Sequence, residues 1–330
     1  MDLLRFTPKG IYCPQAGVYL DPWRPVEKAI ISHAHSDHAR SGHRQYLAPS
    51  DSEAILKHRL GKGINLQSLN YGEAITINGV RFSFHPAGHI IGSAQIRVEH
   101  KGQVWVFTGD YKLENDSFSA PFEPVPCNVF ISESTFGLPV YRWKKQAEIF
   151  SEINSWWSVN AQNNVCSVIS AYSLGKAQRI LCNIDRSIGP VYSHPTIYAT
   201  HEALRSSGFV LPSDNKLEAK TDKSLLSKAL IILPPMALSE SVLRKIGPYS
   251  LAIASGWAHV RGNRRRQAAD RGFALSDHAD WDALNEAVLQ SRAERVILTH
   301  GFSDVFAGWL NHKGIQAEAA KTDFSVEGDV

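Results

Sequence analysis

Hydrophobic positions along the chain fall into two textures. Through the first 137 residues they come in short runs bounded by turn and polar residues, and 26–32, 80–85, 94–98, 103–108 and 128–132 read as strands. After Gly137 the period lengthens: 141–159 has helical spacing, 165–170 is a strand and 174–185 a helix. Strand-like runs continue at 190–193, 228–233 and 251–255, an alternation that predicts a mostly parallel α/β sheet. Residues 256–272 are basic and Gly-punctuated and read as partly loop. The last sixty residues return to a helix over 280–291, a strand over 295–299 and a final helix from Val305.

At 330 residues the chain accommodates one large or two closely joined domains. Hydrophobic residues at 43% and charged residues at 20% exclude disorder and long helical rods. The longest nearly uninterrupted apolar run, 229–238, holds two prolines and falls far short of the roughly 20 residues of a membrane span. No secretory signal is read at the start, so a cytoplasmic protein without membrane contact is expected. Cys13, Cys127, Cys166 and Cys182 form no CxxC pair, which argues against a zinc finger or a disulfide framework. The net charge is only +3, but it is uneven: residues 138–272 carry 18 Lys and Arg against 9 Asp and Glu, the remainder 17 against 23. A basic middle in an acidic frame suggests a polyanion-facing insert in a carboxylate-rich body.

Candidate chemistry collects just beyond strand ends, where α/β proteins assemble sites. The strongest signal is His33-Ala-His35-Ser-Asp37-His38, four ligand-type residues within six positions. In extended chain, residues i and i+2 point the same way, so His33 and His35 can grip one metal while Asp37 and His38 turn toward a second. Imidazole with carboxylate suits zinc, with manganese second. His89 lies in a Gly-flanked turn, Asp110 follows the apolar run 104–107, and His300 follows 296–299. Each alone reads as a cap or turn residue, whereas together with the first loop they complete two coordination sets.

HxHxDH, the later Gly88-His89, Gly109-Asp110 and His300 resemble the metallo-β-lactamase superfamily. Ser132-Glu133-Ser-Thr-Phe-Gly137, Ser276-Asp277-His278-Ala-Asp280 and Thr299-His300-Gly301 further resemble the extra motifs of its β-CASP nuclease branch, nearest the bacterial ligase-associated DNA exonucleases. The resemblance implies an αββα sandwich with an inserted smaller α/β β-CASP domain: 1–137 and 273–330 in the body, 138–272 in the insert. It assigns His33, His35 and His89 to one zinc, Asp37, His38 and His300 to the other, and Asp110 to both. A bridging hydroxide would attack phosphorus, with Asp37 among the catalytic residues. Glu133 would orient His278, a general acid for the leaving sugar oxygen, a task suited to an imidazole titrating near neutrality.

Ser173, Lys176 and Arg179 open a helix where a phosphate can dock, and Ser134, Thr135 and Arg264 are further substrate-binding candidates. Trp143, Trp156 and Trp157 read as packing, Trp257 as a base-stacking platform, and the eight other histidines as structural or surface residues. The expected activity is a two-zinc DNA exonuclease in repair, running 5′ to 3′ on single-stranded or frayed ends beside an ATP-dependent ligase and a helicase. The competing expectation is an RNA-processing endonuclease like the messenger-RNA 3′-end cleavage subunit.

Overall fold

The structure, a computed structural model, describes residues 2–259 and 269–324. The chain divides into two compact units, one of residues up to 142 with those from 278 onward, the other of residues 143–277.

The first unit is built on two β-sheets. The six-stranded sheet runs in sequence order from Arg5–Thr7 through Gly10–Cys13, Val18–Leu20, Lys28–Ile30 and Gln45–Pro49 to Leu66–Leu69, antiparallel at its start and parallel thereafter. The seven-stranded sheet places Gln316–Ala319, Arg295–Gly301, Val129–Ser134, Gln103–Phe107, Ala94–His100, Val80–Pro86 and Ala74–Ile77 side by side. Side chains of a strand alternate between the two faces of its sheet, and the sequence uses this alternation. Trp105, Phe107, Val129, Ile131 and Ile297 join Ile11, Val18, Leu20 and Ile30 in one core between the sheets. Their neighbours Val106, Phe130, Val296 and Leu298 face the other way, onto Trp281, Leu284, Phe306 and Leu310 of the helices Trp281–Ser291 and Ser303–His312. Asp280 caps the first of these helices by accepting from Ala283 N at 2.9 Å.

The second unit has its own six-stranded sheet, parallel at every pairing among the described residues. Leu230–Leu233 is buried at every position, as expected of a strand covered on both faces. Trp156 and Trp157 belong to its core, and Trp157 Nε1 donates to Lys228 O at 3.0 Å.

The helix expected from 141 begins instead at Gln146. Tyr141 is engaged elsewhere, its carbonyl accepting from Trp281 N at 3.0 Å. The helix expected over 174–185 is Lys176–Asn183, entered through Gly175 at φ 89°. The short strands before residue 21, the helix Glu53–Leu60 and the edge strand Gln316–Ala319 have no counterpart in the periodicity reading. Among the described residues, no helix is long and apolar enough to cross a membrane.

Candidate metal centre

The ends of six strands converge on one edge of the first unit. His33, His35, Asp37 and His38 occupy the loop after Lys28–Ile30, and His89 lies in the turn between Val80–Pro86 and Ala94–His100. Asp110 follows Gln103–Phe107, Glu133 lies in Val129–Ser134, and His300 lies in Arg295–Gly301. The two sheets meet at this edge, where Ala94 N donates to Ser32 O at 2.9 Å.

Local irregularities aim the ligands. Ser132 pairs with Leu298 and Ser134 with Gly301, so Thr299 and His300 together oppose Glu133 alone. This bulge turns His300 out of the ladder toward the site. Ser134 Oγ holds the bulge by donating to Thr299 O at 2.9 Å and His300 O at 2.7 Å. Gly109 takes a left-handed φ of 55°, and a Cβ there would stand 2.5 Å from Ser32 Oγ. Only glycine lets the strand turn Asp110 inward so near the ligand loop.

The donor atoms form two sets. His35 Nδ1 lies 3.2 Å from His33 Nε2 and 3.0 Å from His89 Nε2, and Asp110 Oδ2 lies 3.5 Å and 3.7 Å from those same Nε2 atoms. In the second set, His38 Nε2 is 3.5 Å from both Asp37 Oδ2 and Asp110 Oδ2, and His300 Nε2 is 3.0 Å from Asp110 Oδ1. A tetrahedral ion at zinc–nitrogen bond length separates its ligands by about 3.3 Å, the spacing these atoms keep. Ring nitrogens this close either share a proton or hold a metal between them, and a metal can serve all of them at once. Among the described residues, buried His38 Nε2 has no hydrogen-bond partner, although its Nδ1 lies 2.7 Å from Asp21 Oδ2. An imidazole held through one nitrogen, with the other aimed at carboxylates, is positioned to ligate a metal once that second nitrogen gives up its proton. The residues therefore fit metal in both sets.

Asp21 is the functional residue that the sequence reading missed. It is fully buried in a left-handed backbone conformation at φ 38°. Its Oδ1 accepts from Ser32 N at 2.7 Å and its Oδ2 from Ser32 Oγ, and Ser32 Oγ is 3.0 Å from His33 Nδ1. One carboxylate thus orients His38 directly and His33 through Ser32. Nothing in Asp21-Pro-Trp-Arg announces this, because its partners lie 11 and 17 positions away.

Burial and charge set the protonation states. Burial, assisted by the neighbouring imidazoles, pushes His33 well below its usual range despite Asp110, so it is neutral and able to ligate. Burial would also lower His38, but Asp110, Asp37 and Asp21 outweigh it and raise this imidazole to about 10. For Asp110 burial is opposed by His38, His278 and His300, which hold the carboxyl well below its usual range.

Beside the two sets, Glu133 is fully buried and holds His278 Nδ1 at 3.0 Å and 2.9 Å from its two oxygens. Tyr111 N donates to Glu133 Oε1 at 2.8 Å and fixes that carboxylate. The His278 and His89 rings lie 4.7 Å apart, and ligand-type atoms of Asp110, Glu133 and His278 fall within 4.8 Å of one another.

The substrate-binding candidates are placed differently. Ser134 is spent on the His300 bulge, and Thr135 is buried with no hydrogen-bond partner for its Oγ1 among the described residues. Lys176 and Arg179 do not present charge on an exposed helix face. Both are buried, each 3.4 Å from Asp277, because cations removed from water require a nearby carboxylate. Ser173 is half-buried at the same helix start, and Arg264 lies outside the described residues.

No protein-family model matches the chain. It is 32% identical over 321 residues, 96% of its length, to a probable DNA ligase from Opitutus terrae. It is also 32% identical over 124 residues, 36% of its length, to Endoribonuclease YSH1 from Candida glabrata. The chain spans only 31% of the first relative and 16% of the second. A crystal structure of a protein of unknown function from Enterococcus faecalis shares the fold, with a TM-score of 0.62 at 12% identity over 90% of this chain and 80% of that one. The relatives point to the metallo-β-lactamase/β-CASP nuclease family, and the two facing sheets and mixed α/β architecture are consistent with a metallo-β-lactamase-like fold.

Two outcomes follow for metal binding. Asp21→Ala is expected to weaken binding about 10–100-fold, as loss of an orienting partner does; chelator competition that finds wild-type affinity contradicts the orienting role. With His38 raised to about 10, a proton competes for its Nε2 at neutral pH. Affinity should therefore rise as pH climbs toward that value, with about one proton released per ion at the His38 set. Calorimetry in buffers of different ionisation enthalpy measures the release, and pH-independent affinity from pH 6.5 to 9 contradicts it.

Proposed function

We propose that the chain is a dinuclear-metal phosphodiesterase, and specifically a DNA exonuclease acting on single-stranded or frayed ends, 5′ to 3′. The observation that carries this reading is the convergence of two ligand sets on Asp110 with the Glu133–His278 pair alongside. His33, His35 and His89 would hold one ion, Asp37, His38 and His300 the other, and Asp110 would serve both. When bound, such a pair activates a water and offsets charge at phosphorus.

The chain's own residues supply the rest. Glu133 accepts the Nδ1 proton of His278, which leaves Nε2 to carry the proton taken by the departing sugar oxygen as its bond to phosphorus breaks. With the bond from phosphorus to O3′ as the one that breaks, that oxygen leaves as a 3′-hydroxyl and phosphorus keeps the incoming oxygen as a 5′-phosphate. Support for DNA comes from the ligase-named relative, which aligns with 96% of this chain; action beside an ATP-dependent ligase and a helicase is what the resemblance to ligase-associated exonucleases implies. The endoribonuclease-named relative supports a second reading, internal cleavage of RNA.

Single-stranded DNA and RNA of matched sequence, labelled at either end, separate the two. Mononucleotides released from DNA with the 5′ label lost first fit the proposal; discrete internal cuts in RNA transfer the protein to the second reading. In the same assay His278→Ala should retain both metals and slow cleavage about 10²–10⁴-fold. Unchanged turnover in that variant removes His278 from proton transfer.

A further inference from the structure

Residues 320–324 follow the edge strand Gln316–Ala319 and run back across the ligand loop. Ala320 N donates to Leu298 O at 2.8 Å, beside the strand that carries His300. Arg40, two residues beyond His38, then fastens the segment. Its guanidinium donates to Asp323 O at 3.1 Å, to Trp23 O at 3.3 Å and, through Nε, to Asp37 O at 3.4 Å. One side chain so ties the segment, the turn after Asp21 and the ligand loop together.

The fastening delivers Phe324 to the outer side of the second ligand set. Its ring stacks on His38 with centroids 4.4 Å apart and planes 7° from parallel, and meets His300 at 5.5 Å and 67°. Behind it, Trp23 packs at 5.4 Å and Phe107 at 6.2 Å, so the ring is only 7% exposed. A carboxylate at Nδ1 fixes one edge of the His38 imidazole, but it leaves the ring able to tilt about that hydrogen bond. A flat apolar surface pressed on its face removes the tilt. It also keeps water from the rear of two ligands, which strengthens every charge interaction in front of them. His33, His35 and His89 have other supports: His33 adjoins Ser32 Oγ, and the three rings brace one another edge to face at 4.8–4.9 Å.

We infer that Phe324 is a positioning residue for the metal held by Asp37, His38, Asp110 and His300, and that it supports this position selectively over the one at His33, His35 and His89. The inference rests on the two-metal reading above. The test is metal stoichiometry and stepwise affinity of the full chain, by titration of the metal-free protein with Zn2+ and separately with Co2+, whose visible absorption reports ligand geometry. Wild type, Phe324→Ala and Phe324→Leu are compared, the leucine keeping the core filled while removing the flat face.

Both variants should bind one ion as wild type does and the other about 10–100-fold more weakly, with an altered Co2+ spectrum for the weakened ion alone. Equal weakening of both ions marks a general loosening of the fold and overturns the inference, as does wild-type affinity at both. A wild-type protein that binds fewer than two ions fails the two-metal reading itself, a result separate from any effect of residue 324. If Phe324→Ala does not fold, the leucine variant decides by the same criteria.

Discussion

One carboxylate faces four imidazoles, and the first unit is arranged around that concentration of charge. Asp110 brings its oxygens within 3.0–3.7 Å of ring nitrogens from His33, His38, His89 and His300, residues from three separate stretches of chain. Such a cluster is costly to bury unless charges are paired or a cation completes it. The site therefore needs a scaffold that holds the groups together against repulsion and desolvation. Parallel strands whose ends share one edge provide it, with a bulge at His300 and a left-handed glycine before Asp110 making the final adjustments.

Around this core the protein places orienting groups, and one of them serves two ligands. Asp21 reaches His38 directly and His33 through Ser32. Glu133 holds His278 and is itself held by Tyr111 N. Arg40 binds three carbonyls and with them the segment bearing Phe324. Ligand geometry here is a property of the second layer as much as of the ligands, which is the usual condition for a preorganised metal site.

The site was more legible in sequence than its support. His33-Ala-His35-Ser-Asp37-His38 announces itself because four ligand residues are crowded into a spacing that extended chain turns to one purpose. Strands such as Gln103–Phe107 and Arg295–Gly301 were readable because their apolar runs are long and end at conspicuous polar residues. The strands before Asp21, of three or four residues each, fall below the length at which periodicity is distinguishable from chance. Asp21, Phe324 and the burial of Lys176 and Arg179 were invisible for a different reason. Each depends on a partner distant in sequence, so local spacing carries no trace of it: Asp277 lies about a hundred residues beyond Arg179, and Phe324 nearly three hundred beyond His38.

The account is tested most directly by anomalous X-ray scattering from crystals of the purified, metal-loaded protein, recorded on either side of the metal absorption edge. It predicts two peaks about 3.5–4 Å apart, one among His33, His35, His89 and Asp110, the other among Asp37, His38, Asp110 and His300. A single peak, or metal bound anywhere but against Asp110, would contradict it.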